Sequence, residues 1–156
     1  NGRKEEKKGE GGRGRKGGER RSADPDLVFV MYGANDSKAT ASGLTAEVFQ
    51  EQIEALLDDL RSALDGKADI VLVTGVPRLN KERTVTANIV EPIVPGIHKA
   101  AESRRTALVD TFTPYLGLSP AEIEAYYNDT VHPTPEGHEH LGRLVYEELL
   151  KQMRLK

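Results

Sequence analysis

A doubly wound α/β domain built on a parallel sheet is the fold class this sequence predicts, and three observations predict it. Three short apolar runs, at 26–32, 69–75 and 106–110, have the length and composition of strands. Segments with apolar residues at helical spacing separate them, and another such segment follows the third run. Strand and helix therefore alternate, which is the pattern of a parallel sheet with helices on its faces, because right-handed crossovers return each strand beside the last.

The first run, Asp26 to Tyr32, ends at Gly33 and lacks period-2 alternation, so it predicts a strand buried on both faces. The next is Asp69 to Gly75, and the third and shortest is Thr106 to Asp110. Between the first two, Thr45 can cap a helix whose buried face is Phe49, Ile53, Leu56, Leu57, Leu60 and Leu64, with Gly66 placed to end it. Ile89, Ile93, Ile97 and Ala100 mark a second helical stripe, and Pro92 and Pro95 should kink it or delay its start. A short helical turn is expected from Ser119-Pro120-Ala121-Glu122. A last helix is expected where Thr134 caps and Pro135 takes the first turn, burying Leu141, Leu144, Val145 and Leu149.

The 156 residues fit one domain by length, but their composition divides in two. Residues 1–22 hold seven Gly, nine Lys or Arg and four Glu, with no aliphatic or aromatic side chain, and carry a net charge of +5. Such a segment cannot offset the entropy of ordering it, so 1–22 is expected to be a disordered, low-complexity leader on a folded domain from 23 to 156. That domain carries a net charge of −8. An acidic body argues against a nucleic-acid or membrane partner. The leader lacks the interleaved aromatics that stack bases, and its glutamates dilute its field, so nucleic-acid binding is not expected there either. With no cysteine, disulfides, thiolate metal sites and cysteine nucleophiles are excluded. No apolar run approaches the roughly 18 residues of a membrane span, and no signal-peptide h-region is seen. Asn1 in place of Met reads as a processed, trimmed or partial chain, and the compartment stays open.

In a doubly wound sheet, chemistry sits beyond the carboxyl ends of the strands. Three segments fall there: Gly33 to Lys38, Gly75 to Asn80, and the loop from Thr111 to Pro133. In Gly33-Ala34-Asn35-Asp36, glycine lets the chain turn off the strand, and the Asn35 amide can donate into the crevice as an oxyanion-stabilising group must. By itself the segment reads more readily as a polar turn. In Asn128-Asp129-Thr130-Val131-His132-Pro133, Asp129 can orient the His132 imidazole and stabilise its cation, leaving the other ring nitrogen as a general base. Its alternative is an exposed turn.

Taken together, Gly-x-Asn-Asp after one parallel strand and Asp-x-x-His-Pro before the C-terminal helix resemble blocks III and V of the SGNH (GDSL) hydrolase family. Within it, Gly33 to Lys38, Val76-Pro77-Arg78 and the His132 to Gly137 stretch are most similar to carbohydrate esterases of the sialate O-acetylesterase-like branch. The resemblance spans Pro25 to Leu150. It implies a flavodoxin-like αβα sandwich, serine ester hydrolysis of a small-molecule or glycan ester, and neither metal nor organic cofactor. Carried over by position, Asn35 would donate in the oxyanion hole, Gly33 would shape its loop, His132 would be the base and Asp129 its orienting partner. Full-length relatives imply a secreted or periplasmic setting.

The sequence also departs from the family. No Gly-Asp-Ser nucleophile motif occurs, and no second oxyanion glycine precedes Asn35. The serines are Ser22, Ser37, Ser42, Ser62, Ser103 and Ser119, and none follows a strand in that context. The three predicted strands then correspond to the family's third to fifth. The absent first strand would lie beside Asp26 to Tyr32, leaving a long, flat apolar edge open to strand addition or aggregation. Ser37, two residues past Asn35, is the one substitute nucleophile to weigh, and a carbonyl must fit about 3 Å from both nucleophile and donors. His138 and His140 point to different helix faces and read as surface residues rather than metal ligands. The Asn-x-Ser/Thr sequons at Asn35 and Asn128 lie in the site loops and read as chance.

Overall fold

The computed structural model describes residues 24–36, 44–85 and 93–154. The expected leader lies outside these, as do Ser37 and Ile89. Three strands form one parallel sheet in the order β1-β2-β3: β1 is Leu27–Val30, β2 is Asp69–Val73 and β3 is Ala107–Val109. Leu27 pairs with Asp69 and Val30 with Leu72, while Val71 pairs with Ala107 and Val73 with Val109.

Alternation along the strands decides which helix covers which face. Val28, Val30, Ile70 and Leu72 point to one side, where α1 (Ala46–Ala63) buries Phe49, Ile53 and Leu57, and α2 (Val94–Ser103) buries Ile97, Ala100 and Ala101. Val71, Val73 and Val109 point to the other side, against Val145 and Leu149 of α5 (Pro135–Arg154). The result is the αβα layering that the strand and helix alternation predicts. No helix among the described residues is long and apolar enough to cross a membrane.

Local signals place the helix ends. The Thr45 hydroxyl accepts from the Val48 N–H at 3.3 Å, and the chain turns away after α1 at Gly66, whose φ is 66°. Pro95 delays α2 to Val94, sitting in its first turn where its missing N–H costs nothing. Two helices follow β3: α3 (Phe112–Leu116), which falls within the segment expected to be a loop, and α4 (Pro120–Tyr126), opened by a Ser119–Glu122 capping box.

Two expectations fail: His140 is not a surface residue, since its ring stacks on Tyr126 at 4.6 Å and meets Tyr115 edge to face at 5.4 Å, and the first strand is shorter and more open than its run suggests. The 26–32 run yields only a four-residue strand, and it is not buried on both faces: Leu27 is 44%, Phe29 46% and Met31 52% exposed. The reason is the placement of α5, which covers β2 and β3 but stops short of β1. Phe29, Met31, Val73, Leu141 and Val145 therefore line an open apolar groove instead of a closed core. Within the described sheet β1 pairs on one side only, so the edge is apolar as expected but short.

Candidate active site

The carboxyl ends of the three strands deliver Gly33, Thr74 and Asp110 to one rim of the sheet. Behind that rim, Thr74 and Thr111 are fully buried and satisfy each other: the Thr74 hydroxyl accepts from the N–H of Thr111 at 2.8 Å and of Phe112 at 3.0 Å, and the Thr111 hydroxyl donates to the Thr74 carbonyl. Asp110 caps α3 through the N–H groups of Phe112 and Thr113 and the Thr113 hydroxyl. Burial works to raise its pKa, but these donors, with the Thr74 hydroxyl, outweigh burial and hold it below the ordinary carboxylate value.

Gly33 is glycine for a steric reason. Its φ is 116°, and a Cβ there would stand 3.1 Å from Cγ2 of Ile93 and 3.4 Å from the Phe49 ring. The backbone can thus leave β1 sharply and present Ala34 and Asn35 as an exposed turn.

The loop from Tyr127 to Pro133 is closed at its base by a bridge between those two residues, by the Asn128 N–H donating to the His132 carbonyl at 2.8 Å, and by the Asn128 side chain donating to the Pro133 carbonyl at 3.0 Å. Inside this ring Asp129 folds back. Its Oδ1 accepts from the N–H of Val131 at 2.6 Å and of His132 at 2.7 Å, while Oδ2 lies 2.7 Å from Nδ1 of His132. The His132 ring, its main-chain N–H and the Val131 N–H together hold the Asp129 carboxyl far below the usual range. An ionised carboxylate only accepts, so Nδ1 carries the proton and Nε2 keeps its lone pair when the ring is neutral. Both side chains are exposed.

The loop rests on a second small core. Tyr115 and Tyr127 meet edge to face at 6.0 Å beside Leu79 and Ile123, and the Tyr127 hydroxyl donates to the Pro77 carbonyl at 2.7 Å. Downstream, the Thr134 hydroxyl accepts from the Gly137 N–H at 3.0 Å as the expected α5 cap. Gly137 completes the His-Pro-x-x-x-Gly stretch because a Cβ there would overlap the Tyr126 carbonyl of α4.

Asp129 and His132 are in contact, whereas Asn35 makes no direct hydrogen bond to either. The link between the two loops runs through consecutive residues after β2: the Arg78 guanidinium donates to the Ala34 carbonyl at 3.3 Å, and the Leu79 N–H donates to the Thr130 carbonyl at 2.9 Å. Sequence reasoning missed Leu79, Arg83 and Tyr127, which act through backbone carbonyls that no motif marks. Among the described serines, Ser119 caps α4, Ser103 donates to Glu54 and the Ala100 carbonyl, and Ser62 is exposed on α1. None lies on the rim.

A family profile described as the GDSL-like Lipase/Acylhydrolase family matches residues 4–140. That stretch reaches further into the leader than Pro25 and stops short of Leu150. No curated protein matches the sequence. Among solved structures, an acetylxylan esterase from Geobacillus stearothermophilus is 26% identical with a TM-score of 0.57, over 80% of this chain and 59% of that one. A lipase/acylhydrolase from Enterococcus faecalis is 20% identical with a TM-score of 0.58, over 82% and 63%. A peptidoglycan O-acetylesterase is 17% identical with a TM-score of 0.66, over 84% and 39%. The chain spans less than two thirds of each, and the last two bear on the fold alone. With the profile covering most of the sequence and these folds laid over its parallel sheet, the chain belongs to the GDSL-like lipase/acylhydrolase family of hydrolases.

Proposed function

We propose that this chain carries the general base, its orienting carboxylate and one oxyanion donor of a serine ester hydrolase that removes acetyl groups from carbohydrates, without that enzyme's nucleophile. The observation that carries the reading is the 2.7 Å contact between Asp129 and Nδ1 of His132 at the carboxyl-end rim of the sheet. In a complete site, Nε2 of His132 takes the proton of a serine hydroxyl as its oxygen bonds to the ester carbon. The Asn35 amide then donates to the carbonyl oxygen as it becomes an oxyanion. The imidazolium, stabilised by Asp129, returns the proton to the departing sugar oxygen, and water repeats the sequence to release acetate.

Acetylated carbohydrate is the substrate class for two reasons. The 26% identical acetylxylan esterase supports it, and so does the spelling of Gly33 to Lys38, Val76 to Arg78 and His132 to Gly137, which is similar to the sialate O-acetylesterase-like branch. The absence of any Gly-Asp-Ser triplet favours a second reading, a carbohydrate-binding module that uses the same crevice without turnover. In a serine protease, loss of the nucleophile alone costs about a millionfold in turnover.

Acetate release from acetylated xylooligosaccharides, O-acetylated peptidoglycan fragments and O-acetylated sialic acid, set beside chemical-shift titration with the same sugars, separates the readings. Binding with release at background rate is the expected result. Binding that requires the acetyl group, with shifts centred on Asn35 and His132, supports the hydrolase reading, and equal binding of the deacetylated sugars supports the module. Release that disappears in His132→Ala overturns the missing nucleophile, and neither binding nor release sinks both.

A further inference from the structure

We propose that Arg83 is a positioning residue for the Asp129–His132 pair, bracing the base of its loop from outside; this rests on reading that pair as the catalytic dyad. Asp129 and His132 hold each other through contacts two and three residues apart, which shape the loop but do not fix where it stands on the sheet. That placement is made by the segment after β2. The Leu79 N–H donates to the Thr130 carbonyl, and the Tyr127 hydroxyl donates to the Pro77 carbonyl. Among the described residues of this segment, Arg83 adds a charged group that reaches the loop.

Arg83 is built to reach the loop. Leu79 and Val85 form an antiparallel bridge, the Asn80 side chain accepts from the Thr84 N–H at 2.9 Å, and the Arg83 N–H donates to the Asn80 carbonyl at 3.0 Å. This tight turn leaves Arg83 at a φ of 56°, in the left-handed region where a non-glycine residue is uncommon. From there Nη2 donates to the Tyr127 carbonyl at 2.8 Å and Nη1 to the Asn128 carbonyl at 3.5 Å, while Nε pairs with Glu124 of α4 at 3.3 Å. Glu124 is 75% exposed, so the ion pair itself contributes little. The charge-assisted bonds to two consecutive carbonyls matter more, because Tyr127 is buried and its carbonyl begins the loop that bears the dyad. Guanidinium suits this task through its planar fork, which an ammonium cannot reproduce.

Amide hydrogen exchange on the isotopically labelled full chain tests the brace. Arg83→Asn keeps a residue that tolerates left-handed backbone and removes the fork. The expected result is a loss of about tenfold or more in protection of the Asn128 amide, which donates to the His132 carbonyl at the base of the loop, and of the Leu79 amide, which donates to the Thr130 carbonyl, with β2 unchanged. Arg83→Lys, with one donor group in place of a fork, should recover part of both signals.

Unchanged protection in Arg83→Asn overturns the proposal. So does a loss spread equally over β2, which marks Arg83 as a residue of general stability. Exchange requires no turnover, so a failed esterase assay leaves this result standing, and a failed brace leaves the esterase reading standing.

Discussion

Asp129 grips His132 at two points, with Oδ2 at 2.7 Å from the ring Nδ1 and Oδ1 at 2.7 Å from the main-chain N–H of the same residue. A carboxylate that holds both the ring and the backbone of its partner fixes the direction in which the ring faces, as well as its tautomer. This relationship is short in sequence, so it forms wherever the loop forms. What the fold adds is the loop's placement on the segment after β2, where Leu79 holds the Thr130 carbonyl and its neighbour Arg78 reaches the Ala34 carbonyl.

That placement depends on Tyr127, whose buried hydroxyl donates to the Pro77 carbonyl at 2.7 Å. Tyr127→Phe keeps the ring packing and strands a buried acceptor, which costs about 1–3 kcal/mol. Urea unfolding is expected to show that loss in midpoint with an unchanged m-value. A loss below a few tenths of a kcal/mol means that water satisfies Pro77 equally well.

Asp110 predicts an acid limb. Its folded pKa lies below its unfolded value of 3.8, so the stability it contributes is complete above about pH 4 and is lost as pH falls through the folded value. Unfolding measured from pH 6 to pH 2.5 should fall along that limb, and Asp110→Asn should make it shallower while lowering stability at pH 6 through loss of the carboxylate's charge and of its bond from the Thr113 hydroxyl. Parallel acid limbs in the two proteins count against Asp110 as the source.

The groove beside β1 predicts self-association. Phe29 and, just past the strand, Met31 stand about half exposed at an edge that is unpaired within the described sheet, an arrangement natural sheets avoid by placing charge on the edge. Phe29→Lys or Met31→Lys should raise the concentration at which the chain self-associates, read by light scattering, and leave the far-ultraviolet circular dichroism unchanged. Scattering that does not differ from the parent shows that the edge is already protected.

Much of this was legible in the sequence, for identifiable reasons. The β2 run, the Thr45 and Thr134 caps and the Ser119 capping box are set by local chemistry, and local chemistry can be read from spacing. Asp129 and His132 were legible because their contact spans three residues. The half-buried state of β1 was not, since Leu27 and Phe29 look the same whether or not a helix covers them, and only the position of α5 decides it. Helix α3 was missed because its five residues are too few to show a helical repeat and include Pro114, although its Asp110 cap is local. Arg83 was missed because its partners are carbonyls of residues 44 and 45 positions away.

The most direct test of the account is the ring tautomer of His132, read from its nitrogen chemical shifts with the ring neutral. A protonated Nδ1 and an unprotonated Nε2 are expected, changing to a mixture in Asp129→Asn. An Nε2-protonated ring in the parent chain, unchanged in Asp129→Asn, would contradict the claim that Asp129 prepares His132 as a base.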